Sequence, residues 1–147
     1  LGSKPFIYRF STEEHSFVEK AGNDLLFKLG LLIGPQMEMY QEEERKYDIE
    51  GDNTRYYGRK IKFNIPEGYS VKNLDDLNME YKFGKEGEES LYFKSSFVKE
   101  GSKVTLNCEE YYTEILCPVE EFEQYQKVIN AAADFNKIIL VFQLDKP

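Results

Sequence analysis

The 147-residue chain has no tryptophan, one histidine and two cysteines, and its longest uninterrupted apolar run is Ile138–Phe142. Each scarcity removes a class of protein. One histidine and two separated cysteines cannot assemble a closed zinc site, and two cysteines are too few for a disulfide framework. A run of five apolar residues is strand-sized, far short of the roughly 18 that a membrane-spanning helix needs. Positive charge is also short: 19 Lys and Arg stand against 27 Asp and Glu, for a net charge of −8. The cations are interleaved with acids, as in Glu42-Glu43-Glu44-Arg45-Lys46, so no basic stripe exists for nucleic acid or an anionic membrane. No glycine-rich phosphate loop is present, because Gly84 and Gly87 are not followed by a helix. No cofactor is therefore expected.

What the chain does have is 11 phenylalanines and 11 tyrosines, set largely at a period of two. Ile61, Phe63 and Ile65 alternate with Lys60, Lys62 and Asn64. Leu91, Phe93 and Phe97 repeat the period, as do Val104, Leu106 and Cys108. Alternation marks strands with one wet and one buried face. The pattern predicts a mainly β chain, an antiparallel β-sandwich with one C-terminal α-helix packed on a sheet, folded as one domain over 1–147. Residues 1–20 read either as its start or as the tail of an upstream linker.

Phe6, Tyr8 and Phe10 suggest a first strand, and Ser11 to Glu14 has capping-box spacing before a brief helix over Phe17–Ala21. Leu25–Ile33 reads as a strand with a bulge or bend at Gly30, and Met37, Met39, Tyr47 and Ile49 as continued extended structure. Glu50–Asn53 is a turn by composition, and it leads into a long strand, Arg55–Ile65. Met79, Tyr81 and Phe83 alternate before a loop at 84–89. A hairpin turn at Glu100-Gly101 would set Phe97 opposite Val104 and Phe93 opposite Cys108. The apolar parity changes after Cys108, which predicts a β-bulge near Glu109 or Glu110. Beyond Pro118, Phe122, Tyr125, Val128, Ile129, Ala132 and Phe135 follow helical spacing. Asn136 is placed for a left-handed cap. Ile138–Phe142 lacks alternation and reads as a strand buried on both faces, with the helix over one of them.

Catalytic inventory is thin. A nucleophilic hydrolase needs a nucleophile, a base and a group orienting that base, and His15 is the sole imidazole, in a polar segment. Cys108 is expected on an inward strand face, where a thiol behaves as a small hydrophobe. Cys117 precedes the helix, but Glu120 and Glu121 would oppose its thiolate. If both thiols lie on one extended strand, nine steps of roughly 3.3 Å put them about 30 Å apart, so no disulfide is expected. Glu50, Asp52 and Asn53 form an acidic turn without a calcium-loop pattern. Adjacent acids such as Asp75-Asp76 or Glu109-Glu110 point to opposite faces of a strand and make no glycosidase dyad. The candidate interaction surface is aromatic: Tyr56-Tyr57 and Tyr111-Tyr112 each place one ring on each side of a strand.

Several phrases in order, Ile33-Gly34-Pro35-Gln36, Met39-Tyr40-Gln41, Glu44-Arg45, Ile65-Pro66-Glu67-Gly68-Tyr69 and Ala132-Ala133-Asp134-Phe135-Asn136, resemble a bacterial domain of unknown function. That domain follows the transglutaminase-like (papain-type) core in large exported proteins, and the likeness covers roughly Ala21 to Phe142. The resemblance implies a β-sandwich appendage with an extracytoplasmic address, in the periplasm or at the cell surface. In that family the catalytic Cys, His and Asp would belong to the upstream core, so no catalytic residue is carried over. The expectation is a non-catalytic accessory domain whose partner is that core or an envelope protein. The alternative is a free-standing glycan- or peptide-binding sandwich that uses exposed tyrosines.

Overall fold

A computed structural model describes residues 6–145. In chain order the strands are β1 (Val18–Ala21), β2 (Asp24–Phe27), β3 (Ile49–Glu50), β4 (Arg55–Asn64), β5 (Tyr69–Val71), β6 (Met79–Lys85), β7 (Glu88–Glu100), β8 (Lys103–Tyr112) and β9 (Leu116–Cys117). Helix α1 (Phe122–Asn136) follows, and β10 (Leu140–Leu144) comes last. The large sheet has the order β4-β8-β7-β6, the small sheet the order β1-β2-β10-β5, and β3 pairs with β9. All pairings are antiparallel. The chain is mainly β, and the one α-helix among the described residues packs against a sheet.

The alternation sorts the large sheet into two faces. Ile61, Phe63, Val104, Leu106, Phe93 and Phe97 point inward; Lys60, Lys62, Thr105, Asn107 and Lys94 point outward. At one end the small sheet covers the inward face, where the Phe27, Phe63 and Phe142 rings meet with centroids 5.4 to 6.2 Å apart. At the other, α1 covers β6 and β7, with Phe135 against Phe93 at 5.9 Å and Tyr125 edge-on to Phe83 at 6.4 Å. Val104, Leu106, Phe93 and Phe135 are fully buried, each stabilising the fold by roughly 1.5–3 kcal/mol.

Several local expectations fail for identifiable reasons. The hairpin closes on Gly101-Ser102, because Glu100 faces Lys103 and Phe97 faces Leu106. Gly101 supplies the positive φ of 60° at the first central position that a type II′ turn requires. The register differs by two residues from the expected one, so every side chain keeps its face. No bulge interrupts β8, which holds continuous register with both neighbours from Lys103 to Tyr112. The irregularity lies instead between Phe83 and Gly84. The parity change near Glu109 therefore has another cause: β8 carries charge on its inward face.

Residues 6–10 form no strand, and their large side chains are exposed. Nor is there a helix over Phe17–Ala21. Glu14 accepts the Ser16 N–H at 2.8 Å, while Val18–Ala21 turns back and pairs with Asp24–Phe27 as a hairpin. The strand read over Leu25–Ile33 ends at Phe27, and Leu29–Ile33 forms a 3-10 helix. Gly30 marks a close approach to α1: a Cβ there would lie 2.3 Å from the Phe135 carbonyl oxygen. Met37, Met39 and Tyr47 lie in coil rather than strand. Strand β10 starts only at Leu140 and alternates, with Leu140 and Phe142 buried and Val141 and Gln143 half-buried. It belongs to the small sheet, whereas α1 packs on the large one. Asn136 is the last residue of α1 rather than a left-handed cap; no residue but glycine has positive φ among the described residues.

Candidate functional site

The end of the large sheet that the small sheet leaves uncovered forms the floor of a cleft of about 600 Å³. Its other walls are α1 and the segment 33–53. That segment has no regular structure before β3, yet side chains of α1 hold it. The Asn130 side-chain oxygen accepts the Met39 N–H at 2.7 Å, and the Gln126 and Asn130 amides donate to the Met39 carbonyl at 2.8 and 3.1 Å. The Asn136 amide donates to the carbonyls of Gly30 and Gly34, both at 2.9 Å. Further along, the Asp48 carboxylate accepts the Val119 N–H at 2.9 Å, and the Gly51 N–H donates to the Ile115 carbonyl at 2.6 Å. A wall of irregular backbone is thus fixed at Gly34, Met39, Asp48 and Gly51 by hydrogen bonds.

On the floor, register brings Arg59, Cys108 and Ser95 into one row and Tyr57, Glu110 and Phe93 into the next. The Arg59 guanidinium donates from Nη1 to Glu110 Oε1 at 2.8 Å, and the Glu110 side chain is only 2% exposed. Tyr112 donates its hydroxyl to the other carboxylate oxygen at 3.2 Å. The Arg59 guanidinium also lies over the Tyr57 ring, 5.1 Å from its centroid. A buried carboxylate is tolerable only when its oxygens are paired and hydrogen-bonded in this way. Arg55, four residues before Arg59, donates to the Asn53 side chain at 3.0 Å, and the Ser90 hydroxyl donates to Glu114. Burial, and next the Glu110 charge, push the Tyr112 hydroxyl well above its ordinary pKa. It stays protonated and remains a donor. Burial likewise raises Tyr125.

The four tyrosines picked out by sequence divide between two faces. Tyr57 and Tyr112 line the cleft. Tyr56 and Tyr111 stand on the outward face, Tyr56 at 65% exposure and Tyr111 stacked on Tyr92 with centroids 5.1 Å apart and planes 20° apart. Tyr92 and Tyr111 cover one another, so that row offers no coplanar pair of open rings. Arg55, Arg59, Glu110, Glu114 and Tyr125 also line the cleft, and the sequence reading did not select them. A signal was available: Arg59 shares odd parity with Ile61 and Phe63, and Glu110 shares even parity with Leu106 and Cys108.

The thiols and the imidazole are not brought together as a catalytic set. His15 is exposed in the N-terminal segment. Cys108 and Cys117 are free and buried. Burial, with the Glu110 charge second, pushes the Cys108 thiol up to about 11; burial, with Glu121 second, takes Cys117 up to about 11. Among the described residues no group of three His, Cys, Asp or Glu is placed to hold a metal ion, and no helix is long and apolar enough to cross a membrane.

The architecture defines a class, an antiparallel sandwich with a helix-walled polar cleft at one end. Residues 24–142 match the family described as Domain of Unknown Function with solved-structure structure (DUF3858), and the chain belongs to that family. Comparisons with curated proteins and with solved structures returned no match.

Proposed function

We propose that the chain is a non-catalytic accessory domain of a transglutaminase-like (papain-type) exported protein, acting in the periplasm or at the cell surface. Its task is to hold a component of the envelope in the cleft and so keep the catalytic core of the same polypeptide beside its substrate. The cleft carries this reading. Its polar side chains are fixed by partners on rigid strands and a helix, which suits recognition, while the thiols are buried and protonated and His15 stands apart from them in the exposed N-terminal segment. The likeness of its sequence phrases to a domain that follows such a core supports the rest of the reading. No cofactor is part of the proposal.

The test is retention. The labelled chain should sediment with a purified cell-envelope fraction, Tyr57→Ala should remain in the supernatant, and neither should turn over peptide, ester or saccharide substrates. Turnover abolished by changing His15 or Cys117 would overturn the reading, as would an envelope fraction that retains neither protein. A free-standing binding domain would use the same cleft. A longer polypeptide with a Cys–His–Asp core ahead of Leu1 separates the two.

A further inference from the structure

We infer that the cleft takes a neutral oligosaccharide, an inference that rests on the cleft being the binding site of the accessory domain. Charge on the floor is balanced, since Arg59 is paired with Glu110 at 2.8 Å. The exposed rim acids Glu50 and Asp52 turn away polyanions. While the two Glu110 oxygens are already taken by Arg59 and Tyr112, the lining also holds the acceptor-only carboxylate of Glu114 and the donor-only guanidinium groups of Arg55 and Arg59. A ligand matching both must donate and accept at short intervals, which is what neighbouring hydroxyl groups do. Tyr57, Tyr112 and Tyr125 also line the cleft, and aromatic rings are suited to the C–H surface of a sugar ring.

A peptide strand fits less well. Strand addition uses the backbone ladder of a sheet edge, whereas the floor here is a sheet face presenting side chains. The stapled wall also lowers the ordering cost that binding of a hydroxylated ligand would otherwise carry.

The experiment treats the envelope fraction with protease before sedimentation, then adds soluble neutral oligosaccharides as competitors. In parallel, the chain is applied to an array of neutral and acidic oligosaccharides. Retention should survive protease, fall on competition, and match array hits among neutral glycans with Kd between about 10 μM and 1 mM. Tyr57→Ala and Glu114→Gln should each weaken binding roughly tenfold or more, with thermal unfolding confirming that they fold. Tyr57→Phe should keep affinity, and Tyr56→Ala on the outward face should change nothing. Retention abolished by protease overturns the saccharide while leaving the accessory role standing. Binding lost in Tyr56→Ala but kept in Tyr57→Ala overturns it by moving the site to the other face, and an array without hits overturns it outright.

Discussion

Strands β4 and β8 run side by side for ten residue pairs in unbroken register, yet their two ends present opposite chemistry on the same face. At one end Ile61, Phe63, Val104 and Leu106 form dry core under the small sheet. At the other, Arg55, Tyr57, Arg59, Glu110 and Tyr112 occupy equivalent inward positions and line a cleft. Strand geometry is common to both ends, so the covering layer makes the difference. A complete sheet excludes water and favours apolar side chains. A helix and a stapled loop leave space, and the strands line it with an ion pair and tyrosine rings.

The largest effects should come from each half losing its own kind of support. Leu106→Ala should cost about 2–5 kcal/mol in urea unfolding, as a transfer loss plus a cavity. Glu110→Ala should cost about 3 kcal/mol or more at the polar end, because it strands the largely buried Arg59 charge. Equal costs with unequal causes sharpen the contrast; a Glu110→Ala cost under about 1 kcal/mol would break it.

Next in size is the wall. Asn130→Ala removes both side-chain contacts with the Met39 backbone and should cost about 1–2 kcal/mol. Hydrogen exchange should rise in residues 34–48, with no change at Val104 or Leu106. Uniform exchange across both ends would show that the wall and the dry core are not separate units.

Cys108 lies at the border between the halves, in the row joining Arg59 to Ser95. Its folded pKa of about 11, shared by Cys117, stands above the ordinary 9.0 of a thiol. The folded state keeps protons that the unfolded chain releases first, so this stability is complete below pH 9 and is lost as pH rises through about 11. Tyr112, also raised, acts in the same direction at higher pH. Thermal unfolding should show a loss on the order of 3 kcal/mol between pH 8.5 and 10.5, flattened when both cysteines become alanine. A flat profile in the native sequence would place the thiols in contact with water.

The smallest effect separates the two faces of the sheet. Tyr56→Ala should alter stability by no more than about 0.5 kcal/mol, since the ring stands mostly in solvent. A larger loss, seen in the same urea titrations, would give the outward face a structural part in the fold.

The dry half was legible in the sequence and the cleft was not. Period-two runs such as Val104, Leu106 and Cys108 place a side chain by parity alone, and the α1 spacing does the same for Phe135. Glu110 defeats that reading because an inward acid looks like a slip in register, which a bulge would explain equally well. Only the pairing of Arg59 opposite the Cys108–Glu110 stretch shows why the acid can be inside. The cleft also draws residues from segments far apart in the chain, and 34–48 has no strand partner to impose a period; side-chain amides on α1 hold it at Gly34 and Met39. Residues 6–10 carry a strand pattern with no sheet to receive it.

The central question is whether the Arg59–Glu110 pair serves the cleft or the fold. Urea unfolding and envelope sedimentation of Arg59→Met, Glu110→Leu and the double variant test this most directly. Each single change should cost about 3 kcal/mol, and the double should return to within about 1 kcal/mol of the parent while failing to bind the envelope. A double variant as unstable as either single, or one that binds as the parent does, would contradict it.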